Sequence, residues 1–308
     1  MTKRVFITGA AGLVGQNLIA ALSGKDVALV GVDKHHANLQ ILRELHPEVM
    51  LIEADLAEPG PWEAEAAACD CVVMLQAQIG GLDRTDFERN NVTATKRVLD
   101  AVAGRSPYLV HVSSSVVNSA ADDFYTQTKA AQEAVVDAFG LRHVVLRPTL
   151  MFGWFDRKHV GWLRRFMDRT PIFPIPGDGR YLRQPLFAGD FADIIAACIA
   201  SEPTGAYNIS GLEKIDYVDL IRLIKKVTRS RTAIVHIPYG LFWSLLSLYA
   251  RFDRDPPFTT HQLEALVTPD VFEVIDWPKI FGTTATPLEQ ALEKTFLDPV
   301  YSPVVLKF

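Results

Sequence analysis

Cysteine is scarce in this chain: Cys69, Cys71 and Cys198 are the only three among 308 residues. An odd count at that spacing builds neither a disulfide framework nor a zinc site, so no metal is expected. It fits a reducing, cytoplasmic compartment. Positive charge is in short supply as well. The 31 Lys and Arg face 36 Asp and Glu, for a net charge of −5, which argues against a broad nucleic-acid-binding face. Long apolar runs are missing. The most apolar stretch, Leu241–Ala250, has ten residues, whereas a bilayer span needs about 20. A transmembrane segment is therefore not expected, and an interfacial helix stays open. Met1-Thr2-Lys3-Arg4 runs straight into Val5-Phe6-Ile7 with no cleavage-site pattern, so no signal peptide is expected. Internal repeats and low-complexity tracts are lacking too. What the chain has is apolar bulk, 49% hydrophobic against 22% charged, enough to exclude disorder as the main state. Its length suggests two structural units at roughly 150 residues each.

Short apolar runs alternate with helical patterns through the first half. Strands are expected at Arg4–Thr8, Val27–Asp33, Val49–Glu53, Cys71–Leu75, Tyr108–Ser113 and His143–Arg147, with helices at Leu13–Ser23, Leu39–Leu45, Asn90–Ala103 and Tyr125–Phe139. Continuous rather than alternating apolar strands mark a parallel sheet covered on both faces. The strand–helix alternation makes βαβ units, so the fold class is α/β: a Rossmann-type doubly wound parallel sheet with a smaller mixed C-terminal domain. Residues 171–189 hold Pro171, Pro174, Pro176, Pro185, Gly177, Gly179 and Gly189 and read as a rigid loop. Helices are expected again at Phe191–Ala200, Tyr217–Thr228 and Tyr239–Arg251.

Gly9, Gly12 and Gly15 follow the first strand and open the first helix, spaced GxxGxxG in Thr8-Gly9-Ala10-Ala11-Gly12-Leu13-Val14-Gly15. Such a turn lets the backbone approach a pyrophosphate and seats the anion at a helix N-terminus. Asp33 ends the second strand, where an acid accepts the adenosine ribose hydroxyls and repels a 2′-phosphate. NAD is thus favoured over NADP, with Lys34, His35 and His36 partly offsetting the repulsion. Tyr125 and Lys129 stand four apart and share a helix face. A neighbouring ammonium lowers a phenol's pKa and makes it a proton donor and acceptor near neutrality. Ser113, Ser114 and Ser115 end a buried strand, at the edge where open α/β sheets bind ligands.

Taken in this order, these motifs resemble the extended short-chain dehydrogenase/reductase superfamily, and within it the NAD-dependent nucleotide-sugar epimerase/dehydratase branch. The resemblance extends through Asp55-Leu56, Asn91-Val92-Thr93-Ala94-Thr95, Leu146-Arg147-Pro148-Thr149, Pro176-Gly177-Asp178-Gly179 with Arg183, Gly189-Asp190 and Ala206–Gly211. It implies an enzyme with an NAD-binding domain over 1–150, to which 184–210 return, and a substrate-binding domain over 151–183 and 211–308. It implies that Tyr125 exchanges a proton with a sugar oxygen, that Ser115 and Ser114 hydrogen-bond the same oxygen, and that Lys129 holds the nicotinamide ribose. Cofactor contacts are implied for Gly9, Ala11, Gly12, Leu13, Val14, Gly15, Asp33, Lys34, Asp55, Leu56, Leu75, Gln76, Ala77, Asn91, Ser113, Tyr125, Lys129 and Pro148. Substrate contacts are expected for Gln78, Ser115, Phe152, Trp154 and His159, and Arg183 is expected to meet a nucleoside-diphosphate sugar's diphosphate. A homodimer through the helices of Asn91 and Tyr125 is also implied.

The chain departs from the family pattern in places. Leu75-Gln76-Ala77-Gln78 replaces the usual His-Leu-Ala-Ala, only nine residues separate Ser115 from Tyr125, and no second arginine for a diphosphate stands near the C-terminus. Asp122 and Asp123 read as helix caps. The apolar helix after Tyr239 reads as core of the smaller domain, with a pocket wall, a dimer face or a lipid contact as alternatives. Hydride transfer at sugar C4 is the leading expectation, as a 4-epimerase or a 4-keto reductase. A hydroxysteroid- or terpenoid-type dehydrogenase and a non-catalytic NAD(H)-binding assembly protein are its rivals.

Overall fold

The computed structural model describes residues 2–119, 122–249, 263, 266–267 and 272–307. Its centre is a seven-stranded parallel sheet built from β1 (Lys3–Thr8), β2 (Val27–Asp33), β3 (Met50–Glu53), β4 (Cys71–Met74), β5 (Tyr108–Val112), β6 (His143–Pro148) and, after four short outlying strands, β11 (Gly205–Ile209). The order across the sheet is β11-β6-β5-β4-β1-β2-β3. The chain winds one way from β1 to β3 and the other way from β4 onward, which makes a topological switch between β1 and β4. Ligands of open α/β sheets bind at such a switch, beyond the strands' C-terminal ends.

Alternation along each strand sorts the side chains into two cores. Val5, Ile7, Val73, Val110 and Leu146 face α1 (Leu13–Leu22) and α8 (Ala188–Ser201). Phe6, Val30, Val72 and Leu109 face α3 (Trp62–Ala67), α5 (Ala94–Ala101) and α6 (Phe124–Phe139). Both faces are covered, so the strand sequences are apolar throughout. The helix expected at Asn90–Ala103 begins differently. A short α4 (Arg84–Phe87) leads into a π-helical turn at Glu88–Thr93, and only then into α5. Such wide turns are frequent at functional sites, and this one carries Asn91.

A third core lies away from the sheet. Phe152, Val160, Met167, Phe173, Ile175, Phe187, Ile221 and Leu292 pack there from β7 (Met151–Phe152), α7 (Val160–Arg169), β8 (Ile172–Pro176), β10 (Leu186–Phe187), α9 (Tyr217–Thr228) and α12 (Leu288–Leu297), while α11 (Trp277–Phe281) sits against the sheet. Residues 171–189 are not the loop that their prolines suggest. They hold β8, β9 (Leu182–Arg183), β10 and the start of α8, and β9 pairs with β12 (Ile215–Asp216). Pro174 and Pro176 are tolerated because β8 belongs to a two-stranded ladder with β13 (Ala233–Ile237), so its other edge needs no N–H donors. The apolar helix α10 (Tyr239–Tyr249) is not core, and no residue from Tyr239 to Leu248 is buried. Of the expected helix, Ala250 and Arg251 lie outside the described residues.

Candidate active site

The glycine turn at the switch point is fixed by close approach. Gly9 has φ +63°, and a Cβ there would lie 2.9 Å from Gln76 N; a Cβ on Gly15 would lie 2.5 Å from the carbonyl oxygens of Gly9 and Ala10. Gly12 caps α1 without a side-chain acceptor, which leaves the helix's first N–H groups to an anion. Asp33 closes the turn from β2. Its two oxygens accept N–H from Ala11 (3.0 Å) and His35 (2.9 Å). Burial pushes its carboxyl up, against the lowering by those N–H groups.

Beside it, Asp55 accepts from Arg89 Nη1 (2.6 Å) and from Ala57 N (2.9 Å). Burial would raise Asp55, but the Arg89 bond, the Ala57 N–H and the Lys34 charge together hold it below the usual carboxylate range. Lys34 Nζ donates to Asn90 Oδ1 at 2.6 Å. Leu56 is buried. Arg89 has no counterpart in the sequence reading; its position just before Asn90-Asn91 was the available signal.

A buried polar chain joins β1, β4, α5 and α6 beneath this edge. Thr8 Oγ1 donates to Gln76 Oε1 and accepts from Leu75 N at 3.0 Å. Gln76 Nε2 donates to Thr95 Oγ1 (3.0 Å), which also accepts from Gln132 Nε2 (2.8 Å). Asn91 Oδ1 accepts from Gln78 N (2.7 Å), and its Nδ2 donates to Thr128 Oγ1 (2.9 Å). The departure at Leu75-Gln76-Ala77-Gln78 therefore has a structural use. Gln76 and Gln78 tie the loop after β4 to the helices behind it, while Ala77 is exposed at the rim. Gln132 went unforeseen, and Thr8 and Thr95 stand inside the glycine-turn and Asn91–Thr95 motifs, to which no such role was assigned.

Asp123 caps α6 by accepting Thr126 N at 2.7 Å, while Asp122 accepts from Gln127 Nε2 instead. The inward face of α6 then presents Tyr125, Thr128, Lys129 and Gln132, at i, i+3, i+4 and i+7. The Ser114 side chain lies close enough to the Tyr125 phenol to lower its pKa, and it accepts Val116 N at 3.4 Å. Ser115 starts the short turn after it. Of the two serines, Ser114 is the one that acts on the phenol's pKa.

The expected lowering of Tyr125 by Lys129 is not what this geometry gives. Burial raises the phenol, the Ser114 side chain offsets part of that, and the Asp123 charge adds to the rise. Lys129 is itself fully buried and donates to Val112 O at 2.9 Å. Burial lowers its ammonium to about 7, against the raising effect of Glu133. Glu133 is held by Arg147, with Nη2 at 2.6 Å and Nε at 3.0 Å. His111, on β5 two residues before Ser113, is wholly buried with neither ring nitrogen hydrogen-bonded. Burial and the Lys129 charge hold it well below the ordinary histidine value, so it stays neutral. Ser113 Oγ and Thr149 Oγ1 are buried without partners at the ends of β5 and β6, beside the buried Pro148.

The residues expected at a substrate are more dispersed. Phe152 is buried against Phe187, with ring centroids 5.7 Å apart. Trp154 Nε1 donates to Lys294 O at 2.7 Å, and its ring lies against Tyr301. His159 is exposed at the head of α7. Arg183 stands half-buried on β9, opposite Ile215. None of these four is hydrogen-bonded to Tyr125, Ser114 or Lys129.

The sequence profile of the NAD dependent epimerase/dehydratase family matches residues 5–210. The chain belongs to this family. Among curated relatives, a ceramide reductase of Caulobacter vibrioides is 23% identical over 76% of this chain and 73% of its own length. A dTDP-L-rhamnose 4-epimerase of Burkholderia thailandensis is 24% identical over 72% and 80%. In fold, the chain is similar to the UDP-glucuronic acid 4-epimerase of Bacillus cereus in complex with NAD, with a TM-score of 0.72 at 19% identity, covering 95% of both chains.

NAD is the family's cofactor, and the switch-point residues fit it. The uncapped N-terminus of α1 suits a pyrophosphate, the Asp33 carboxylate suits ribose hydroxyls, and the unpartnered Ser113 and Thr149 hydroxyls line the far end.

Proposed function

We propose that this epimerase/dehydratase-family enzyme interconverts an alcohol and a ketone at C4 of a nucleoside-diphosphate sugar, as a 4-epimerase or a 4-keto reductase. The observation that carries the reading is the inward face of α6, where Tyr125, with the Ser114 side chain close enough to act on its pKa, stands one turn before the fully buried Lys129, whose Nζ donates to Val112 O at the end of β5 at 2.9 Å. NAD, when bound, supplies the hydride acceptor and donor. Tyr125 exchanges the hydroxyl proton with the sugar oxygen, and Ser114, with Ser115 beside it, orients that oxygen. Lys129 holds the nicotinamide ribose. The N–H groups opening α1 hold the pyrophosphate, Asp33 the adenosine ribose, and Asp55 with Leu56 the adenine side. Residues 151–183 and 211–308 supply the sugar-nucleotide lobe, with Arg183 on its diphosphate.

The test has two parts. NAD(H) released by denaturing the purified protein is counted, and turnover is then followed on a panel of 4-keto and 4-hydroxy sugar nucleotides. Tyr125→Phe should lower turnover on the order of 10²–10⁴-fold and leave NAD(H) binding intact. Turnover within a few-fold of the unsubstituted enzyme would sink the assignment of Tyr125.

A second reading, a reductase of a carbonyl on an apolar scaffold, is favoured by the exposed apolar helix α10 and agrees with the ceramide reductase relative. Activity on long-chain keto compounds with none on sugar nucleotides would select it.

A further inference from the structure

We propose that Glu133, clamped by Arg147, is a positioning residue of this site: the buried anion that keeps the Lys129 ammonium charged where it meets the nicotinamide ribose. The proposal rests on the reading of Lys129 as the group that holds that ribose, and it brings in an ion pair that the Tyr125 chemistry itself does not use.

Lys129, Glu133 and Asp137 stand at i, i+4 and i+8 on α6 and share one stripe of the helix. The stripe runs from the interior outward. Lys129 is 1% exposed and Glu133 8%, whereas the Asp137 side chain is 64% exposed. β6 sets a basic side chain against each of the two acids. Arg147 and His143 stand four apart on that strand and so share a face. His143 Nε2 lies 2.8 Å from Asp137 Oδ1. Arg147 forks onto Glu133, with Nη2 2.6 Å from Oε2 and Nε 3.0 and 3.2 Å from the two oxygens. Such a fork fixes the plane and place of the carboxylate. Lys129 takes no part in it, because its Nζ donates to Val112 O at 2.9 Å. Glu133 therefore acts on Lys129 through space, as a charge one helix turn away.

A lysine removed from water sheds its proton unless a counter-charge stands near. The elements packed around Lys129 offer few. β5 brings His111, which is buried and neutral. β6 brings Arg147 and His143, each already set against an acid of the stripe. The π-helical turn and α5 place the uncharged Asn91 and Thr95 against α6, bonded to Thr128 and Gln132. α6 itself brings the Tyr125 phenol and Glu133. Of these, Glu133 is the group that favours the charged lysine, against burial, and the balance leaves the ammonium near 7. At that value one nearby anion decides whether Lys129 is charged at neutral pH. A charged ammonium donates a hydrogen bond roughly twice as strong as a neutral group does, and the ribose hydroxyls are its acceptors.

The test reads Lys129 directly, by NMR titration of isotope-labelled lysine side chains in the protein without cofactor, the signal being assigned by its loss in Lys129→Met. Glu133→Gln should lower the Lys129 midpoint by about one pH unit or more, and Glu133→Asp should restore most of it. Because Glu133→Gln leaves Arg147 without its partner, the double variant Glu133→Gln, Arg147→Met, which leaves neither side of the pair charged, is titrated beside it and should show the same fall. NAD affinity and turnover should each lose their alkaline limb at a pH lower by that same interval, with values on the acid side kept within a few-fold. The proposal is overturned if the midpoint stays where it is in the unsubstituted protein. It is also overturned if the midpoint falls and the pH dependence of NAD affinity does not follow, or if affinity drops equally at every pH, as for a pair that only pins α6 to β6. Failure of the functional reading has a different signature: Tyr125→Phe would keep its turnover, while the Lys129 titration and the pH dependence of NAD affinity would still report on Glu133.

Discussion

β5 and α10 are both short, apolar and nearly free of charge in sequence, yet they end up in opposite surroundings. Every residue of Tyr108–Val112 is buried, whereas none from Tyr239 to Leu248 is. The difference lies in what flanks them. β5 is hydrogen-bonded to β4 and β6, and helices cover both of its faces. α10 follows the end of an edge ladder, and from Tyr239 to Leu248 its side chains are half-buried or exposed. Apolar composition says that a segment gains by leaving water; only connectivity says what it leaves water for.

The largest effects that test this contrast belong to the sheet. Phe6, fully buried on β1 and stacked on Trp62 at 6.3 Å, should cost ~3–5 kcal/mol on replacement by alanine, read from denaturant midpoints at unchanged slope. A loss under ~1 kcal/mol would mean that this core is loosely packed and the contrast with α10 shallow.

Next comes the buried ammonium. Lys129 titrates near 7 in the fold and at its ordinary 10.5 when the chain unfolds. Between those values the unfolded chain holds a proton that the folded chain has lost. Stability therefore rises with pH through that window, and the penalty is full below it. Lys129→Met removes the penalty. Its stability advantage should be largest below pH 7 and shrink by about 2 kcal/mol between pH 7 and pH 9, as seen in urea titrations at both pH values. Parallel stability curves for the two proteins would show that Lys129 is charged in the fold at both.

The sheet half was legible because its signals are local. The glycine turn, the apolar strands and the acid ending β2 each stand in one stretch of chain, and their order follows the winding of a doubly wound sheet. Tyr125 and Lys129 were legible for the same reason, one helix turn apart. The polar chain from Thr8 through Gln76 and Thr95 to Gln132 was not legible, since it joins four elements that only the folded sheet brings together. Nor was the direction of the Tyr125 shift. Spacing gives a lysine on the next turn, but the rise comes from burial, a property of the packed state, with the Asp123 charge adding to it. The prolines of residues 171–189 misled because they report missing donors and cannot say that the strand edge needs none.

A smaller test addresses the helix that aims Tyr125. Asp123→Ala removes the cap on Thr126 N and should cost ~1 kcal/mol. Asp123→Asn keeps an acceptor and should cost only a few tenths. It should also lower the Tyr125 pKa, because the Asp123 charge raises it; the phenol's ultraviolet titration would show this. Equal losses for both variants would mean that the charge, not the acceptor, holds the turn.

The smallest effect is the most pointed. Leu245→Ser exchanges an apolar side chain for a polar one on a helix, and in β5 the same exchange at Leu109 would leave a cavity and an unpaired hydroxyl. On α10 the Leu245 side chain is already half in water, so little burial is lost, and the small drop in helix propensity is all that remains. The expected change in stability is within ~0.5 kcal/mol, measured without lipid. A loss of more than ~2 kcal/mol would mean that Leu245 is buried in solution against part of the chain or another copy of it. The two apolar segments would then differ in their partners rather than in whether they have one.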